Sequence, residues 1–116
     1  MAIEDVGGSV LGQKIEFVSG DIQNKADVPA TLPGRWYDNE KGDMILAAGA
    51  SSSSTASARV AGDKKRIFIA TDPASSDLTG KLCNPYSIHW VYDTAALANG
   101  TGSAVVKAGG KTWFFL

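Results

Sequence analysis

The sequence predicts an α/β fold in which helices flank a mainly parallel β-sheet. Short apolar runs typical of strands alternate with segments typical of helices, and turns rich in glycine, aspartate and serine separate them. The apolar residues 67–69 are consecutive, a pattern typical of a strand that is covered on both faces. With 116 residues, 44% of them hydrophobic, the chain can build one modest core. We therefore expect a single α/β unit over residues 1–116.

The elements of this unit follow from the positions of turn residues and prolines. In residues 14–20 the alternation predicts a strand with Ile15 and Phe17 facing inward. A helix that starts near Pro33 is expected next, because an interior proline costs about 3 kcal/mol. The serine tract at 51–57 offers side chains that cap a helix start. The predicted strands are 14–20, 43–49, 66–71, 87–92 and 111–116; the predicted helices are 1–12, one from Pro33 to about Lys41, one after the serine tract to about Lys65, and 94–107; and residues 72–86 form a long loop.

Composition excludes several classes of function. The net charge of -1 comes from 11 basic and 12 acidic residues, so no nucleic-acid partner is expected. No apolar run approaches the roughly 20 residues of a membrane-spanning helix, and the acidic first residues do not form a secretory signal. Cys83 and His89 are each the sole residue of their type, which rules out an internal disulfide and a metal site built from several such ligands.

Two features of the sequence have both a catalytic and a simpler structural interpretation. Lys111 follows two glycines as in a phosphate-binding loop, but Val105 stands where the first glycine is required, so a turn is favoured. An esterase could combine a loop serine with His89, although the sequence lacks the G-x-S-x-G pattern of hydrolases. A structural histidine is the favoured interpretation, and a weak serine-dependent esterase stays as an alternative function.

The carboxyl ends of the predicted strands carry small polar residues. In open parallel sheets, ligands bind beyond these ends. The relevant segments are 19–21, 49–53 and 71–76. A helix that starts in the serine tract also presents free amide groups and the positive end of its dipole, which together favour an anion. We therefore expect a small-molecule site at this edge of the sheet.

Three stretches resemble one known family. They are KIEFVSGDIQNKADV at 14–28, the run from SSDLTGK through YDT to ALANGTGSAVVK at 75–107, and AGGKTWFFL at 108–116. These motifs resemble the type I periplasmic binding proteins of ABC transporters that take up branched-chain amino acids. The resemblance implies a periplasmic-binding-protein-like lobe with three layers. It also implies that the chain is part of the amino-terminal lobe, without that lobe's first strand, the hinge or the second lobe.

The resemblance also implies a function and a set of ligand contacts. Ser52 would hold the ligand carboxylate, and the loop at Pro73, Ala74 and Ser75 would hold its amino group and carboxylate. Tyr92 would shape the side-chain end of the ligand. The implied protein is periplasmic, binds an amino acid or a small carboxylate, delivers it to an ABC permease, and uses no cofactor, metal or catalytic residue. The identity of the ligand stays open, and binding by this chain alone is expected to be millimolar or absent.

A structural role is the second interpretation. Without the family's first strand, the sheet would have an open slot with unpaired backbone groups on both sides. Copies of the chain could fill that slot by strand exchange. The sequence therefore also predicts a homo-oligomer, and a self-assembling fragment that binds no ligand is the alternative to solute binding.

Overall fold

The structure is a computed structural model that describes residues 2–21, 28–47 and 49–114. It contains a small antiparallel hairpin near the amino terminus and a three-stranded sheet with longer helices. In chain order the elements are α1 (Ala2–Asp5), β1 (Ser9–Val10), β2 (Gln13–Lys14), α2 (Val28–Asp38), β3 (Met44–Ala47), α3 (Ser51–Lys64), β4 (Ile67–Ala70), a 3-10 turn (Ser76–Leu78), β5 (Ser87–His89) and α4 (Thr94–Lys107).

The main sheet has the order β3-β4-β5, and both strand pairs are parallel. Ile45 lies opposite Phe68 in the first pair, and Phe68 lies opposite Ser87 in the second. Helices α2 and α3 connect or flank these strands, as a parallel sheet requires of its crossovers. The predicted fold class, a parallel sheet flanked by helices, is confirmed.

The core lies between this sheet and α3. Phe68 and Ala61 are fully buried. The face of α3 that is turned inward consists of serine and alanine at helical spacing, and such small side chains let the helix backbone approach the strands closely. The core comprises Tyr37, Ile45, Ala58, Ala61, Phe68, Ala70 and Leu78, with Trp36, Ala47 and Val60 packed against it.

The opposite face of the sheet is open within the described residues. Four of its side chains are between 44% and 58% exposed, namely Met44, Leu46, Ile67 and Ile88, and Ile69 between them is half-buried. The pattern at 67–69 predicted coverage of both faces, but Ile67 is 45% exposed. Because α2 and α3 share one core cluster with Phe68, they leave this second face uncovered.

The strand that we expected at 14–20 is not formed. Only Gln13 and Lys14 are in a strand, and they pair with β1 in the hairpin. Phe17, which was expected to face inward, is 73% exposed, and the neighbouring Val18 is 54% exposed. An extended segment needs a neighbouring strand for its backbone groups, and no described strand borders residues 15–20. The helix expected at 1–12 is also short, since Gly7 and Gly8 adopt positive φ and end it.

Two helix starts also differ from expectation. Helix α2 begins at Val28 instead of near Pro33, and Pro33 lies buried inside it. That proline removes one helical hydrogen bond, and packing of α2 on α3 outweighs the loss. Helix α3 begins with Ala50 at its N-cap, without any side-chain cap, so the serines do not cap it as predicted.

The last two predicted elements differ in outcome: the helix is formed and the strand is not. Helix α4 spans the predicted residues, and the Asp93 carboxylate caps it by accepting from the Ala96 amide at 2.7 Å. Residues 111–114, where a strand was expected, have no regular structure, and residues 115–116 lie outside the described ones. None of the helix α4 residues is buried. The radius of gyration of 17.6 Å is therefore larger than the roughly 13 Å of a compact domain of similar length.

Tyr37 ties α2 to the central strand. Its hydroxyl donates to the Ile67 carbonyl at 2.9 Å. Burial raises the pKa of Tyr37 to about 12 from its usual 10.0, an effect that the nearby Arg66 partly offsets. Because the folded pKa exceeds the unfolded one, the contribution of Tyr37 to stability is complete below pH 10. It is lost as the pH rises from 10.0 toward about 12.

Replacing Tyr37 with phenylalanine should therefore change the pH dependence of unfolding. At neutral pH the variant loses one hydrogen bond and about 1 kcal/mol of stability. Above pH 10 it should lose stability less steeply than the wild type, because phenylalanine does not ionise. Urea unfolding followed by circular dichroism at about pH 8 and about pH 11 checks this. Tyr92→Phe, at a tyrosine that is 64% exposed, is the control; equal slopes in Tyr37→Phe and wild type would contradict the assignment.

Candidate ligand-binding site

The parallel pairing of β3 with β4 brings two of the predicted loops together. Ala47 and Ala70, the last residues of these strands, lie opposite each other, so the loops that follow start at the same edge of the sheet. The Thr71 amide donates to the Ala47 carbonyl at 3.0 Å. Beyond it, the Gly49 amide donates to Asp72 Oδ2 at 3.0 Å. This second bond joins the loop before α3 to the loop that contains Pro73, Ala74 and Ser75.

The start of α3 forms one side of this edge. The first hydrogen bond of the helix runs from the Ser54 amide to the Ala50 carbonyl. The amides of Ser51, Ser52 and Ser53 therefore have no acceptor within the helix. No side chain caps them. Ser52 is exposed and accessible to a ligand. The helix start therefore presents hydrogen-bond donors and a positive dipole end, which suit an anion.

Two further serines lie beneath this helix start. Ser53 and Ser54 are each only 1% exposed, and their hydroxyls have no hydrogen-bond partner within the described chain. By contrast, the Ser57 hydroxyl donates to the Ser53 carbonyl at 3.0 Å. The resemblance singled out Ser52 within the serine tract, and the burial of Ser53 and Ser54 was not predicted. The signal was available, because the spacing of the small residues 53, 54, 57, 58 and 61 marks the buried face of a helix.

The loop after β4 forms the other side, and its predicted ligand atoms already have partners. The Pro73 carbonyl lies 2.6 Å from His89 Nε2, and the Ala74 carbonyl accepts from the Thr94 amide at 2.7 Å. The Ser75 hydroxyl accepts from the Asp77 amide at 3.3 Å. These bonds fix the loop in place. A carbonyl keeps a second lone pair and the hydroxyl keeps its proton, so each group can still bind a ligand.

His89 has a structural contact. A carbonyl oxygen can only accept, so His89 Nε2 donates its proton to Pro73. In the described part of the chain, no hydrogen bond joins the imidazole to a serine hydroxyl. Tyr92 follows β5 and is 64% exposed, and within the same residues its side chain makes no hydrogen bond. Thus the structure brings Ser52 and residues 73–75 to one edge but leaves Tyr92 unconstrained.

Other features of the described residues lie outside this candidate site. A cavity of about 270 Å³ lies between α3 and the loop at 81–86, near the amino end of β5, and holds none of the predicted ligand contacts. No cluster of three or more histidine, cysteine, aspartate or glutamate side chains among the described residues could bind a metal ion. In the same residues, every helix is too short or too polar to cross a bilayer. Cys83 is a free, exposed thiol.

Comparison with known proteins identifies the family. The family model described as periplasmic binding protein matches residues 1–116, and the chain belongs to this family. Its structural neighbours are type I periplasmic binding proteins of ABC transporters, which confirms the resemblance seen in the sequence. The family members are solute-binding proteins of transport systems and are periplasmic as full-length proteins. A comparison with curated proteins found no match.

Three solved structures show the extent of the similarity. A periplasmic binding protein from Burkholderia mallei is 46% identical, with a TM-score of 0.94 over 98% of this chain and 30% of its own. A branched-chain amino acid ABC transporter periplasmic ligand-binding protein from Burkholderia xenovorans is 35% identical, with a TM-score of 0.87 over 97% of this chain and 30% of its own. An ABC transporter solute-binding protein from Rhodopseudomonas palustris, in complex with 3,4-dihydroxybenzoic acid, is 25% identical, with a TM-score of 0.83 over 92% of this chain and 29% of its own. The chain therefore spans about 30% of the length of these relatives.

The Ser54 hydroxyl, which has no hydrogen-bond partner within the described chain, allows a test of the helix start without a ligand. Ser54→Ala should raise the free energy of unfolding by roughly 0.5 to 1.5 kcal/mol, because it removes a buried polar group without a partner and improves helix propensity. Ser52→Ala, on the exposed side of the same helix turn, controls for propensity alone. Urea unfolding measures both variants. A Ser54→Ala variant less stable than Ser52→Ala would show that the hydroxyl has a stabilising partner.

Proposed function

We propose that this chain supplies one side of the ligand site of a periplasmic solute-binding protein, which captures an amino acid or a small carboxylate for an ABC permease. One observation supports this most strongly. The hydrogen bond from the Gly49 amide to Asp72 joins the uncapped start of α3 to the loop at 71–75, at the carboxyl edge of a parallel sheet. Ligands of open α/β sheets bind at this edge. The chain would belong to the amino-terminal lobe of its parent, as the resemblance implies.

The ligand contacts follow from the chemistry of the two sides. The amides at the start of α3, with the hydroxyl of Ser52, would hold the ligand carboxylate. On the other side, the carbonyls of Pro73 and Ala74 and the hydroxyl of Ser75 would hold the rest of the ligand head group, with Tyr92 near its side chain. Such a site binds and releases its ligand without chemistry, so we propose that the protein is not an enzyme.

The relatives support a carboxylate as the shared recognition element. The Burkholderia xenovorans protein is described as belonging to a branched-chain amino acid transporter. The Rhodopseudomonas palustris protein contains 3,4-dihydroxybenzoic acid. Amino acids and benzoic acids differ in size, shape and amino group, but both carry a carboxylate. A donor-rich helix start suits this common group.

Self-association is a second candidate role, and the open face of the sheet favours it. Met44, Leu46, Ile67 and Ile88 form a contiguous apolar patch across three paired strands. The outer edge of β3 is also unpaired among the described strands. A parallel sheet is normally covered on both faces, so this patch would be buried by association of two copies.

Ligand-dependent stability tests the proposed function. L-leucine or benzoate, at about ten times its dissociation constant, should raise the free energy of unfolding by about 1.4 kcal/mol. Ser52→Ala should weaken binding about tenfold or more, because one hydrogen bond to a charged group is lost. Ser103→Ala, at an exposed serine on α4, is the matched control and should bind as the wild type does. Thermal unfolding over a millimolar ligand series gives these values.

The mass of the chain, measured by light scattering in the same samples, separates the two roles. A ligand response that Ser52→Ala weakens and Ser103→Ala preserves would support solute binding. A stable dimer whose unfolding is unaffected by every ligand would contradict it and support self-association through the open face.

A further inference from the structure

The two sides of the candidate site have opposite hydrogen-bonding character. The start of α3 offers donors, namely the backbone amides of its first turn and the exposed hydroxyl of Ser52. The loop after β4 offers acceptors, namely the carbonyls of Pro73 and Ala74 and the carboxylate of Asp72. A ligand with one negative and one positive group matches this arrangement better than a ligand with a negative group alone.

Asp72 carries the charge on the acceptor side. It is exposed, and Oδ2 accepts from the Gly49 amide at 3.0 Å. The ion pairs of the described residues join Lys64 to Asp38, Arg66 to Asp43 and Lys81 to Asp77, and none of them involves Asp72. A carboxylate can accept several hydrogen bonds, so Oδ1 and the remaining lone pair of Oδ2 are available to a ligand cation.

The position of this carboxylate is fixed by the fold. Asp72 lies two residues beyond β4 and is held by the amide of Gly49, just before the helix start that would bind the ligand carboxylate. Gly49 has a φ of 139°, which a residue with a side chain rarely adopts. The contact therefore depends on glycine and joins the two sides of the site.

We infer that Asp72 determines ligand specificity: it favours amino acids, which carry an ammonium group beside the carboxylate, over carboxylates without an amino group. This inference rests on the proposed function. The ammonium is on the carbon next to the carboxylate, so a carboxylate bound at α3 brings it toward the acceptor side. A ligand such as benzoate has no cation to offer and meets repulsion from Asp72.

Matched ligand pairs test the inference. L-leucine and 4-methylpentanoate differ only in the amino group, as do L-phenylalanine and 3-phenylpropanoate. Dissociation constants from saturation-transfer NMR should show the wild type binding each amino acid roughly fivefold or more tightly than its partner. In Asp72→Asn the ratio should fall to about one, mainly because the amino acid binds more weakly.

Asp72→Asn removes the negative charge of this side chain but keeps its position. The asparagine side-chain oxygen can still accept from the Gly49 amide, so the loop keeps its anchor. Asp63→Asn removes one negative charge from the exposed far end of α3 and controls for net charge; its selectivity should equal that of the wild type.

The outcomes distinguish this inference from the proposed function. Equal affinity for both members of each pair, or equal weakening of both in Asp72→Asn, would overturn the role of Asp72 and leave carboxylate binding intact. Failure of the wild type to bind any of the four ligands would overturn the proposed function and the inference with it. A selectivity that Asp72→Asn abolishes and Asp63→Asn retains supports both.

Discussion

The parallel register between β3 and β4 is the constraint on which the rest of the structure depends. It places Ile45 opposite Phe68, and both side chains point into the core below α3. A shift by one residue would turn Phe68 to the open face, so burial of this ring fixes the register. The same register sets Ala47 beside Ala70 and so starts both ligand loops at one edge. Core packing and site geometry therefore have a common cause.

The serine-rich face of α3 serves packing and recognition together. Small side chains at 53, 54, 57, 58 and 61 let the helix lie close to the strands. Leucine at these positions would fill more volume but would hold the helix start farther from the loop at 71–75. The consequence is a helix without a side-chain cap and with two buried hydroxyls that have no partner in the described chain. Such local departures from good packing chemistry are typical of functional sites.

The sequence was sufficient where local pattern decides the structure. The strands at 43–49 and 66–71, helix α4 and the polar carboxyl edge were all predicted from apolar runs and turn residues. The strand predicted at 14–20 is not formed, because a strand needs a neighbouring strand as partner for its backbone hydrogen bonds. The sequence pattern also placed the start of α2 too late, since tertiary packing outweighed the local effect of Pro33.

Within the site, the sequence predicted the two loops but not their linkage. Asp72 was overlooked because its importance comes from a bond to Gly49, which is 23 positions away in the chain. The burial of Ser53 and Ser54 was not predicted, although the small residues at 57, 58 and 61 continue the same face of the helix. The bond between Gly49 and Asp72 forms only when the fold brings the start of α3 beside the loop after β4.

The most direct test of a ligand site at the carboxyl edge of the sheet is a map of amide chemical-shift changes when L-leucine is added to the 15N-labelled chain. We expect the changes to concentrate at the start of α3, in residues 51–53, and in the loop at 71–75. Changes confined to the loop at 81–86 or to the open face of the sheet would contradict this expectation. The ligand would then bind elsewhere, and the joined loops at the carboxyl edge would not be the recognition site.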